Sequence, residues 1–129
     1  MSPTNKKKLN QIRIKLDKLD NDLLKLIKKR SSLVNEVLKV KIHKKEIIDQ
    51  KRINFILKKI RNKSIQSNID PKITNRIWKN MIWSFIDYEK RNFKKKSIQA
   101  NIDTKITNRI WKNMIWSFID YEKRNFRKK

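Results

Sequence analysis

An all-α fold follows from three features of the sequence. Glycine is absent and proline occurs only at positions 3 and 71, so tight-turn sheets and phosphate-cradling glycine loops have no raw material. Apolar residues recur at three- and four-residue spacing through most of the chain, the pattern of helices with one buried face. Finally, "SIQSNIDPKITNRIWKNMIWSFIDYEKRNFKKK" at 64–96 returns as "SIQANIDTKITNRIWKNMIWSFIDYEKRNFRKK" at 97–129, differing only at Ser67/Ala100, Pro71/Thr104 and Lys94/Arg127. The predicted architecture is three helices in one small domain plus a duplicated C-terminal helix.

The first helix is predicted from Lys8 to about Lys41. Leu9, Ile12, Leu16, Leu19, Leu23, Leu26, Ile27, Leu33, Val34, Val37 and Leu38 keep the period with no breaker among them. At 1.5 Å per residue it is about 50 Å long, more than a small monomeric core can cover, so a second copy of the chain is expected against it. "HKKEIID" interrupts the pattern. Asp49 can then cap a short second helix carrying Ile53, Ile56, Leu57 and Ile60 on one side.

After the polar "NKSIQSN", Asp70 followed by Pro71 is a helix start, with an acceptor for free backbone N–H groups and a residue suited to the first turn. The third helix carries Ile73, Ile77, Trp78, Met81, Ile82, Phe85, Ile86, Tyr88 and Phe93. Its aromatics could be a stacking platform for single-stranded nucleic acid, but at this spacing they read as core and dimer contacts.

Two single-helix copies do not make a solenoid, which needs about three stacked units. The complete unit is therefore read as residues 1–96, with 97–129 an appended tandem duplicate. The copies can compete for one groove beside the first two helices. The first is favoured by its short connection and by Pro71, while a loop 33 residues longer adds only about 1 to 2 kcal/mol of closure entropy. The expectation is that the first copy docks and the second forms an amphipathic helix, loosely packed or exposed.

The formal charge is +24, which would ordinarily point to a polyanion. Lys, Ile and Asn supply 62 of the 129 residues, however, and all three are spelled by A/T-rich codons, so the charge reads as solvated surface and nucleic acid is not the expected partner. Absence of cysteine excludes disulfides and thiolate metal sites. His43, the single histidine, falls in the predicted first loop with no second ligand near it in sequence, so neither metal nor cofactor is expected. No stretch approaches the 18 or so apolar residues of a membrane span, and "MSPTNKKKLN" lacks a signal-peptide core. The expectation is a cytoplasmic protein with no membrane partner.

Within the first helix, Arg30 and Lys41 are eleven residues apart, within about 20° of one face and some 16 Å apart along the axis, placed to grip a small dianion. Arg13 lies seventeen residues before Arg30, about 25 Å away, and can reach such a pocket only from another chain in an antiparallel pair. Arg52 offers a further guanidinium suited to carboxylates. On spacing alone, four ordinary surface charges remain the plainer reading.

"LNQIRIKLDKLDNDLLKLIKKRSSLVNEVLKVK", then "IIDQKR", then a helix ending "MIWSFIDYE" resembles, over about residues 8–93, the chorismate mutase domain of the all-helical class. The resemblance implies three helices per chain intertwined as a dimer with two active sites. The implied reaction is the rearrangement of chorismate to prephenate in aromatic amino acid biosynthesis, a pericyclic step needing no nucleophile, proton transfer or cofactor. By the same resemblance, Arg13 of a second chain and Arg30 bind the substrate carboxylates, and Lys41 donates to a carboxylate and the ether oxygen. Asp49 and Arg52 shape the entrance, and Ile53 and Phe85 complete the substrate-binding set.

Two positions depart from the family pattern. Ile53 stands where many members carry a glutamate for the ring hydroxyl, a feature shared with isochorismate-pyruvate lyases, the enzymatic alternative. Glu89 stands where a glutamine usually donates to the ether oxygen, and it can serve there only when protonated. A basic helical protein that binds nucleic acid is the alternative from another class; it predicts interchangeable lysines where the enzyme predicts a few named cations.

Overall fold

The structure, a computed structural model, describes residues 1–94 and 102–126. These form helix α1 (Pro3–Val40), a single 3-10 turn (Lys44–Ile47), α2 (Gln50–Gln66), α3 (Pro71–Asn92) and α4 (Thr104–Asn125). There is no strand among the described residues, as the all-α prediction requires. The sequence differences at Ala100 and Arg127 lie outside the described residues.

Helix α1 begins five residues earlier than the apolar period suggests. The Ser2 hydroxyl accepts from the Asn5 N–H at 3.1 Å and Pro3 occupies the first turn, so the polar stretch that follows is helical without any apolar face. At 38 residues, α1 is about 57 Å long. Only its C-terminal half packs within the chain: Ile27, Asn35 and Leu38 are buried, whereas Ile12, Ile14, Leu16 and Leu19 are exposed.

Helix α2 opens as expected, with the Asp49 carboxylate accepting from the Arg52 N–H at 3.0 Å. It does not end where the sequence turns polar. "NKS" and Gln66 remain helical because the Ser64 hydroxyl, donating to the Ile60 carbonyl at 2.6 Å and paired with the Thr74 hydroxyl at 2.7 Å, is a buried contact with α3. The turn into α3 is tight, with Asn68 at φ 57°, a left-handed conformation that asparagine tolerates. Asp70 caps α3 by accepting from the Lys72 N–H at 2.9 Å.

Helix α3 is the centre of the structure and is apolar on two sides. Ile82 and Ile86 join Ile47 and Ile53 in one buried cluster, flanked by Ile56, Leu57, Trp83 and Phe93. Met81, Phe85 and Tyr88 join Ile27, Ile106 and Ile110 in another, flanked by Trp78 and Trp111. Of the α3 aromatics, Phe85 and Tyr88 are core residues, and Trp78 and Trp83 pack half-buried against the core.

The second cluster corrects the expectation for the duplicate. Helix α4 lies antiparallel on α3, with Ile106 and Ile110 each 1 % exposed. It docks beside the first copy instead of competing for its groove. Its opposite side, including Ile115, Trp116, Phe118 and Phe126, is open to solvent.

Candidate active site

The C-terminal end of α1, the turn after it, the start of α2 and the second half of α3 enclose a cavity of about 270 Å³. Arg30, Lys41, Asp49, Arg52, Ile53, Phe85 and Glu89 all line it, seven of the eight residues singled out from sequence. Arg13 does not: it is an exposed residue of the projecting half of α1, about 25 Å along the helix from Arg30.

Helix periodicity and two chain breaks bring these groups together. Arg30, Val34 and Val37 follow one another along the side of α1 that faces α3, and Lys41 is the first residue past the helix, with extended backbone at φ −75°, ψ 128°. Asp49 and Arg52 sit in the capping turn of α2, where the bond from the Arg52 N–H holds both at the mouth. Glu46, which the sequence did not suggest, reaches the rim from the 3-10 turn while accepting from the Ile42 N–H at 3.2 Å. Ile47, Ile53, Ile56, Ile82 and Ile86 form the apolar wall.

Arg30 is the least satisfied group in this set. Its Nε is buried with no hydrogen-bond partner, and its guanidinium lies over the Phe85 ring, 5.6 Å from the centroid. Burial, and then the like charge of Arg52, lower its pKa from the ordinary arginine value. A buried cationic donor with nothing to donate to carries a desolvation cost that an anion in the cavity would remove. Arg52 itself is exposed and leans on the Phe55 ring at 5.4 Å.

On the other side, Lys41 Nζ donates to both oxygens of Glu89, at 3.1 and 3.3 Å. The Glu89 side chain is only 6 % exposed. Burial raises its pKa, and the bond to Lys41 and the ammonium charge pull the other way. Burial is the larger effect, so Glu89 takes up a proton more readily than an ordinary glutamate. Immediately before it, Tyr88 donates to Asn35 Oδ1 at 2.7 Å in a buried bond that fixes α3 against α1 beside the cavity.

A larger, more open groove of about 440 Å³ lies between α1 and α4, lined by Asp20, Asn21, Leu24 and Trp111 among others. It has no cationic side chain and cannot offer an anion what the smaller cavity offers. Among the described residues no cluster of histidine, cysteine, aspartate and glutamate could hold a metal ion, and no helix is long and apolar enough to cross a membrane. His43 is exposed at the start of the 3-10 turn and makes no capping bond.

Over 76 residues the chain is 37 % identical to a protein named chorismate mutase from Methanocaldococcus jannaschii, a match covering 58 % of this chain and 77 % of that one. No solved structure matches. The family model for chorismate mutase type II matches residues 12–90, a span that contains every residue lining the cavity. The chain belongs to the chorismate mutase type II family.

Proposed function

We propose that this protein converts chorismate to prephenate in the cavity between α1, α2 and α3, and that a second copy of the chain completes the site. The observation that carries the reading is half-buried Arg30, whose Nε is buried without a hydrogen-bond partner, at a cavity also lined by Lys41 and Arg52.

The reaction needs the dicarboxylate held compactly and the charge developing on the ether oxygen neutralised, tasks of position and electrostatics. Arg30 takes one carboxylate. Lys41, at the opposite end of the cavity, donates to the second carboxylate and to the ether oxygen. Protonated Glu89 donates a further hydrogen bond to that oxygen, and its raised pKa supports this role. Phe85 holds the Arg30 guanidinium in place by its ring face. Asp49 and Arg52 select at the mouth. Each donor aimed at the ether oxygen contributes most in the transition state, where that oxygen is most negative.

The homodimer reading rests on α1. Its N-terminal half projects from the chain with Ile12, Leu16 and Leu19 exposed on the stripe that packs, further along, as Leu23 and Ile27. An antiparallel copy of α1 would cover that stripe and bring Arg13 to the partner's cavity.

The test is incubation of the purified chain with chorismate, following loss of its absorbance and identifying the product. Formation of prephenate is expected. Ile53 in the cavity wall offers no carboxylate for a ring hydroxyl, so isochorismate is assayed in parallel, and pyruvate from it without prephenate from chorismate would replace the mutase reading by a lyase.

A further inference from the structure

The contact between α3 and α4 is between two copies of one sequence: residues 72–92 and 105–125 are identical. Its polar contacts come in reciprocal pairs. Arg76 bonds Asp120 at 3.0 Å and Arg109 bonds Asp87 at 3.1 Å. Arg91 bonds Asp103 and Arg124 bonds Asp70, each at 2.9 Å. Arg76 Nε donates to Asn113 Oδ1 and Arg109 Nε to Asn80 Oδ1, both at 3.2 Å.

In every case the second contact is the first with each residue exchanged for its equivalent 33 positions away. Ser84 and its equivalent Ser117 are both buried, each hydroxyl donating to the carbonyl four residues before it, on Asn80 and Asn113. The helices are therefore related by a local twofold axis, the arrangement of an isologous interface between subunits.

The symmetry stops at this face. Tyr88 is 4 % exposed on α3, where α1 covers it, but Tyr121 is 40 % exposed on α4. Likewise Glu89 is buried in the candidate site while Glu122 is exposed. The second copy makes the reciprocal contact, but its Glu122 does not line the candidate site that Glu89 lines.

We infer that the outward face of α3 is a docking surface for a second copy of α3's own sequence, filled within this chain by α4 and, when α4 is displaced, by α3 of another chain. An interface whose two sides are identical and related by a twofold axis is complementary between chains wherever it is complementary within one. The cis contact prevails in the intact chain because the connection between the helices gives α4 a high effective concentration. This inference is independent of the catalytic reading.

The experiment uses the full chain carrying Ile106→Asp and Ile110→Asp, which place two charges where α4 is buried against α3. Sedimentation equilibrium is expected to give twice the mass of the unaltered chain at the same concentration. Adding Arg76→Asp, or separately Asp87→Arg, is expected to abolish the doubling, and mixing those two chains to restore it, since each then faces an opposite charge. A released chain that remains helical by circular dichroism but keeps the unaltered mass overturns the proposal. If the released chain loses its helicity, a peptide with the sequence of residues 71–93 is added in trans. Recovery with this peptide, and none with its Arg76→Asp form, supports the proposal; no recovery with either overturns it.

Discussion

Replacing Glu89 by glutamine should change how activity responds to pH more than it changes activity itself. In the free protein the Glu89 carboxylate is 3.1 Å from the Lys41 ammonium, and burial nonetheless raises its pKa. If the protonated form is the donor to the ether oxygen, kcat/KM is level below the free-enzyme pKa and falls tenfold per pH unit above it. Two units above that pKa the loss is about 100-fold, or about 2.7 kcal/mol of transition-state stabilisation. Glutamine has nearly the same shape and donates at every pH. The Glu89→Gln profile should therefore be flat, meeting the wild-type curve at acid pH and rising above it as pH increases. The assay is the initial rate of chorismate loss at subsaturating substrate from pH 5 to 9 in buffers of constant ionic strength. A wild-type profile level from pH 5 to 8, or a Glu89→Gln profile with the wild-type slope, would refute the assignment.

Stability should follow the same titration. Glu89 binds its proton more tightly folded than unfolded, so its contribution is greatest below the unfolded pKa and is lost as pH rises through the folded one; thermal melts of Glu89→Gln against wild type should converge at acid pH and diverge in favour of glutamine above it. If Arg13 serves the partner's site, Arg13→Ala and Arg30→Ala are each nearly inactive, yet mixing them should restore roughly a quarter of the sites by random pairing of a twofold dimer; no recovery after subunit exchange would remove Arg13 from the mechanism. Ile110→Ala, at a side chain 1 % exposed between α3 and α4, should cost about 2 to 5 kcal/mol in denaturant unfolding, and a cost under about 0.5 kcal/mol would mean α4 is not docked.

Helix positions were legible in the sequence wherever one apolar face carried the period, as in α1, α3 and the start of α2. The end of α2 was not, because Ser64 is polar in sequence and becomes core only through its bond to Thr74. The docking of α4 was hidden for a related reason. The face of α3 that receives it carries Arg76, Asn80, Ser84, Asp87 and Arg91, which read as a solvated side, and complementarity of such a row to its own antiparallel copy is a property of the pair.

In the candidate site, Arg30, Lys41 and Arg52 could be found because charged residues in a fixed order carry the family likeness, and Val34 and Val37 could have been added from their spacing to Arg30. Glu46 lies in an irregular turn where no period marks which side chains point inward. The bond between Lys41 and Glu89 joins residues 48 positions apart, and nothing local to either announces it.

The central claim is that a few named cations, and not the general positive charge, do the chemistry. Its most direct test is kcat/KM for chorismate in Arg30→Ala and Lys41→Ala beside Lys58→Ala, which removes an exposed charge outside the cavity. Removing a charged hydrogen-bond donor from a buried anion is expected to cost about 2.7 to 4 kcal/mol, or 100-fold or more in each of the first two variants, while Lys58→Ala keeps the wild-type rate. Equal rates for all three variants, with the fold retained by circular dichroism, would contradict the account.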